Sequence, residues 1–136
     1  MRSLQGDSMR RGIRRSLRER ACLLLADMEA ALLELGSAPE DMAAVGRVIR
    51  TAGCLSRSGG KLGTRGIAPL AGEMESLFHL VLGGKVTLNW RLTGLALVAA
   101  DRIRGMLAVP DGAGGRGESG QILLEGLRVL RRTTEQ

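Results

Sequence analysis

Aromatic residues are almost missing from this sequence: there is no tyrosine, one phenylalanine (Phe78) and one tryptophan (Trp90). Strands usually recruit Tyr, Phe, Trp and Thr, so this scarcity argues against a sheet. Histidine is equally scarce. His79 stands alone, and the two cysteines, Cys22 and Cys54, are far apart in the chain. They supply no metal-ligand set, and no serine, histidine and acid grouping can be assembled from them. No apolar run approaches the roughly 20 residues that a membrane-spanning helix needs. The arginine-rich start is not followed by the apolar stretch and small-residue cleavage site of a secretory signal. These absences lead to the expectation of a cytoplasmic protein with reduced thiols, no metal, no cofactor and no enzymatic activity.

Two phosphate-loop look-alikes also fail. Gly60-Lys61 and Gly84-Lys85 are followed by Leu62 and Val86, where a Ser or Thr should bind magnesium, and neither follows a plausible strand. Glu73 and Glu75 lie two residues apart, so on a helix their side chains diverge by about 200 degrees and cannot form a catalytic carboxylate pair.

What the sequence does hold is aliphatic. Hydrophobic residues make up 44% of the 136, mostly Leu, Ala, Val and Ile. A chain of this length can bury roughly two thirds of its unfolded surface without staples. Charge is uneven. Residues 1–20 carry seven arginines (Arg2, Arg10, Arg11, Arg14, Arg15, Arg18, Arg20) against Asp7 and Glu19, so +5 of the net +6 lies there. Residues 1–17 are expected to form a basic, flexible arm. Its charge suits nucleic acid or an anionic membrane, but it offers no aromatic for base stacking and no apolar face of any size, which favours a solvated extension.

Apolar spacing of 3 and 4 residues predicts five helices. The first runs from about Arg18 to Leu35, with Leu25, Met28, Leu32 and Leu35 on one face and Gly36 closing it. Ser37-Ala38-Pro39-Glu40-Asp41 reads as the start of a second, from about Pro39 to Arg57, with Met42, Val45, Ile49, Ala52 and Leu55 inward. Its opposite stripe is Gly46, Arg50, Gly53 and Arg57, which places Gly53 on the exposed face. A glycine-rich turn from Ser58 to Gly63 leads to a third helix, from about Gly66 to Leu82, with Leu70, Met74, Leu77 and Val81 inward. Gly83 and Gly84 stop it. Thr87 is expected to cap a fourth, to about Ala108. Residues 110–120 read as a glycine-rich linker, and residues 121–136 as an accessory helix carrying Leu123, Leu127 and Leu130. Four amphipathic helices with short connections can hide their stripes only against one another, so residues 18–109 are expected to form an all-α, antiparallel up-and-down four-helix bundle.

Within that frame one stretch reads Arg50-Thr51-Ala52-Gly53-Cys54-Leu55-Ser56-Arg57, then Gly60 and Gly63, then Met74-Glu75-Ser76-Leu77. It resembles the histidine phosphotransfer domain, and more narrowly the N-terminal phosphotransfer domain of chemotaxis-type histidine kinases. That family has a helix bearing His-x-x-Lys-Gly, a glycine-containing turn and a helix with a Met-Glu-x-Leu-like segment. The likeness extends back to Leu24-Leu25-Ala26-Asp27-Met28-Glu29 and forward to Gly84-Lys85-Val86-Thr87-Leu88-Asn89. It covers about residues 20–109, and the fifth helix also has a family counterpart.

The departures fall at the reactive centre. Gly53 stands at the phosphoacceptor histidine position, Ser56 at the motif lysine and Arg57 at the motif glycine, while Gly60, Gly63 and Glu75 match. The resemblance implies a glutamate that would orient an imidazole and a lysine that would offset phosphoryl charge; here Glu75 has no imidazole to orient. Glycine carries no nucleophile. The implied role is therefore binding without transfer, in two-component signalling, through a face of Gly46, Arg50, Gly53, Ser56, Arg57, Lys61 and Glu75. The implied partner is a response-regulator receiver domain or a histidine kinase domain. Two other readings stand beside it: phosphotransfer through His79, on the same face as Glu75, and a structural helical assembly module.

Overall fold

The structure is a computed structural model that describes the backbone of residues 2–62, 65–108 and 118–135; the side chains at 2–8, 10, 14, 118–122 and 133–135 lie outside that description. It is all-helical, with no strand among the described residues. Helix α1 spans Arg2–Ser37, α2 Met42–Ser58, α3 Ile67–Leu82, α4 Trp90–Ala108 and α5 Glu118–Glu135, and a single 3-10 turn, Gly59–Leu62, follows α2 directly. Helix α1 packs on α2 and α4, α2 packs on α3, and α3 packs on α5; narrower contacts join α3 to α4 and α4 to α5.

The apolar stripes meet in one core. Leu25, Met28, Leu32 and Leu35 of α1 are buried against Val45, Val48, Ile49, Ala52 and Leu55 of α2, together with Leu70, Met74, Leu77 and Val81 of α3. Helix α4 adds Leu92, Ala96, Ala99 and Ile103, and α5 adds Leu124 and Leu127. Each fully buried Leu or Met of this kind contributes roughly 1.5–3 kcal/mol relative to exposure. Phe78 is the largest fully buried side chain, and Trp90, the other aromatic, is 79% exposed.

Element boundaries differ from the sequence reading where a better cap or an earlier turn intervenes. Asp41, not Ser37, caps α2: its backbone is extended and its Oδ1 accepts from the Ala44 amide at 3.2 Å. Ser37 stays in α1 and donates its hydroxyl to the Glu34 carbonyl. Because α2 then begins at Met42, that side chain precedes the first inward turn and is 42% exposed instead of buried. Helix α4 is capped by Asn89, not Thr87. Its Oδ1 accepts from the Leu92 amide at 2.9 Å, and its carbonyl accepts the Thr93 hydroxyl at 3.1 Å. The reason lies upstream. Gly84 takes φ +74, and the amides of Lys85 and Val86 still donate to the Leu80 carbonyl, so the chain is folding over the end of α3 when it reaches Thr87. Pro69 sits in the first turn of α3, where its missing N–H removes no intrahelical bond.

The largest difference is α1. The boundary expected at Arg18 is not an element boundary, because the helix is continuous from Arg2. At 1.5 Å per residue α1 is about 54 Å long, roughly twice the length of each other helix. Leu17 packs partly against the core, and Ala21 is the first residue buried in it among those whose side chains are described. The N-terminal part of α1 therefore extends past the packed body. The glycine-rich linker lies mostly outside the described residues, and α5 begins at Glu118, earlier than position 121.

Ion pairs dress the outside. Arg47 reaches from α2 to Asp27 (2.6 Å) and Glu34 (2.9 Å) on α1. Hydrogen bonding to Asp27 and then to Glu34 raises this guanidinium above its ordinary value. Arg104 pairs with Glu29 between α4 and α1. Glu73 of α3 receives a two-pronged bond from Arg131 of α5, at 2.9 and 3.2 Å, with Arg128 at 3.5 Å.

Candidate functional site

The candidate site is built on the packing of α2 against α3. Two glycines set how close these helices come. At Gly59, just past α2, an added Cβ would stand 2.8 Å from both the Cβ and the backbone nitrogen of Ala68 in the first turn of α3. Only a residue without a side chain fits there. One turn earlier Ser56 points at the same partner and donates to the Ala68 carbonyl at 3.3 Å. It also approaches Gly72, where an added Cβ would lie 3.3 Å from its Oγ. Ser56 is thus a half-buried tie between helices.

Gly53 is buried, contrary to its expected place on the exposed stripe. What buries it is not the apolar core. A Cβ at position 53 would lie 2.6 Å from Glu75 Oε2 and 3.2 Å from Arg57 Nη1. The Glu75 carboxylate and the Arg57 guanidinium fold over the bare backbone and fill the room a side chain would take. The helical wheel counts angles around one helix, and it cannot register a neighbour's side chain lying across a glycine.

The rest of the predicted face is more open. Arg50, Arg57 and Lys61 are exposed, and Gly46, Glu75 and Ser56 are half-buried. Nothing lies within 4 Å of the place a Cβ would take at Gly46 or Gly60. Gly63 is outside the described residues. Among the described residues, Arg50 and Lys61 make no ion pair, and Glu75 and Arg57 face Gly53 without closing a pair on one another. Arg57 instead places Nη2 3.7 Å from the half-buried Cys54 sulfur. The result is a shallow surface of three cations around one carboxylate, on helices held in fixed register. Comparison with family models, with curated proteins and with solved structures finds no match to this chain.

Chemically, the face can attract an anionic surface, and it presents no nucleophile at its centre. Among the described residues no group of three His, Cys, Asp or Glu is placed to hold a metal ion. His79 lies one turn beyond Glu75 on α3, exposed, with no hydrogen bond to its ring among the described residues. No carboxylate among the described residues hydrogen-bonds that imidazole. Sequence reasoning missed two contacts here. Gly59 carries no side-chain signal, so its close approach to Ala68 is invisible without the partner helix. The Arg57–Cys54 contact has an i, i+3 spacing and was legible in principle.

Proposed function

We propose that this chain is a degenerate phosphotransfer domain of two-component signalling, a four-helix bundle of up-and-down type with one added helix. It docks a response-regulator receiver domain or a histidine kinase domain in the cytoplasm and accepts no phosphoryl group at position 53. The observation that supports this most is the juxtaposition of Glu75 with Gly53. In the family that the sequence resembles, a glutamate on this helix addresses the reactive imidazole on its neighbour. Here the glutamate is in reach of the corresponding position and closes on bare backbone. Phosphohistidine chemistry needs an imidazole nitrogen, and glycine has none.

Receiver active sites are acidic, which Arg50, Arg57 and Lys61 complement. Charge of this kind raises encounter rate and selects partners more than it adds affinity. Such a protein sequesters a receiver or competes with a competent phosphotransfer domain. The test is a binding titration against receivers and kinase domains, repeated with Arg50→Glu and Arg57→Glu together. Affinity should fall at least tenfold, and unchanged affinity removes this face from the function. Incubation with kinase and labelled ATP should leave the protein unlabelled. Label that vanishes in His79→Gln would move the function to transfer.

A further inference from the structure

The N-terminal part of α1 belongs to none of this. As one continuous helix it gives residues that looked unpatterned a register. Met9, Ile13 and Leu17 recur at four-residue spacing and form a stripe, with Met9 68% and Ile13 57% exposed. An open groove of about 510 Å³ follows the stripe, lined by Met9, Gly12, Ile13, Ser16, Leu17 and Arg20. Arg11 and Arg15, both exposed, stand two residues beyond Met9 and Ile13 and so are turned about 200 degrees away, onto the opposite face. The segment therefore has the apolar face that the sequence reading denied it.

We propose that this part of α1 lies on an anionic lipid surface, with Met9 and Ile13 toward the acyl chains and Arg11 and Arg15 among the headgroups. Charge complementarity selects the occupant. Residues 1–20 carry seven arginines against two acids, and Arg11–Arg15 is an exposed like-charge pair at helical i, i+4 spacing, which opposes the helix until anions offset it. A second copy of the chain would double that repulsion. Duplex nucleic acid would satisfy the arginines and leave Met9 and Ile13 in water. A lipid surface with acidic headgroups takes both faces, as amphipathic helices rich in arginine do. The contact is peripheral, since no helix among the described residues is long and apolar enough to cross a membrane.

Cosedimentation of the full chain with vesicles tests it. Vesicles of phosphatidylcholine with added phosphatidylglycerol should pull the protein down, and phosphatidylcholine alone should not. Met9→Glu with Ile13→Glu should cut the bound fraction at least tenfold, and Arg11→Glu with Arg15→Glu should do the same. These positions lie outside the core, so unchanged melting will show that each variant is folded; Ile13→Ala provides a milder second step with an intermediate loss. Equal binding to neutral vesicles overturns the proposal. So does full binding by Met9→Glu/Ile13→Glu, and so does capture of short duplex DNA by a protein that ignores both vesicle types. Arg50→Glu/Arg57→Glu should leave vesicle binding intact, which separates this surface from the α2–α3 face.

Discussion

Three glycines of the α2 region meet three different surroundings, and the same substitution should therefore have three outcomes. At Gly46 a methyl group enters open space, so Gly46→Ala should gain about 1 kcal/mol from helix propensity alone. At Gly53 the nearest atom is the far end of the Glu75 side chain, which can rotate aside. Gly53→Ala should melt at or above the parent temperature and leave Glu75 more exposed. At Gly59 the obstacle is Ala68 backbone and Cβ, which cannot move without parting the helices. Gly59→Ala should cost about 1–3 kcal/mol, as overpacking does. Parallel thermal melts of the three variants decide the matter, and a stabilised Gly59→Ala would contradict the packing described. Gly53→His is the sharper chemical test. The ring must displace the carboxylate, and on the proposed phosphotransfer reading, in which Glu75 orients the ring and Ser56 replaces a helping lysine, weak kinase-dependent label should appear at position 53. None of these differences is legible in the sequence, where each glycine looks like the same helix-weakening residue. They arise from what the neighbouring helix brings.

Helices and their ends were legible to the degree that their signals are local. The inward faces of α2 and α3 follow from 3- and 4-residue apolar spacing, and the structure buries Val45, Ile49, Ala52, Leu55, Leu70, Met74, Leu77 and Val81 as that spacing requires. Caps proved harder, since Ser37, Asp41, Thr87 and Asn89 are all good capping residues and only the path of the preceding turn chooses among them. Asn89→Ala should cost α4 about 1 kcal/mol, while Thr87→Ala should be near neutral; urea melts of both would show a reversed choice. The docking of α5 was not legible at all. Glu73 reads as one of two diverging acids on α3, and its partners Arg128 and Arg131 are over fifty residues away. Glu73 is only 14% exposed along its side chain while holding that bond. Glu73→Ala should speed amide exchange in α5 at least tenfold and leave α1–α3 amides as they were. Uniform exchange across all helices would deny α5 its dependence on this contact.

Over the whole molecule, aliphatic content and connection lengths were enough to indicate an all-helical protein, because packed helices need only apolar stripes and short turns. Charge was legible as an amount and not as a shape. The arginines of residues 1–20 count the same in a loose tail and in a helix, yet only the helix aligns Met9 with Ile13 and turns Arg11 and Arg15 away from them. Salt should consequently weaken the two proposed surfaces differently. Receiver binding through Arg50, Arg57 and Lys61 rests on charge and should decline steeply between low and physiological ionic strength. Vesicle binding should decline less, because part of it comes from apolar contact. Identical salt slopes for the two would argue that the stripe at Met9 and Ile13 contributes nothing.

The packed body starts only near Leu17, and that makes the molecule divisible. Trypsin cleaves after arginine, and the overhanging stretch of α1 is dense with such bonds while its described side chains before Leu17 are all exposed. Brief digestion should trim the chain to a fragment that begins at Ser16, Glu19 or Ala21 and still unfolds cooperatively. Such a truncated product would keep any affinity for signalling domains and lose its hold on liposomes, so a single protease could sort one activity from the other.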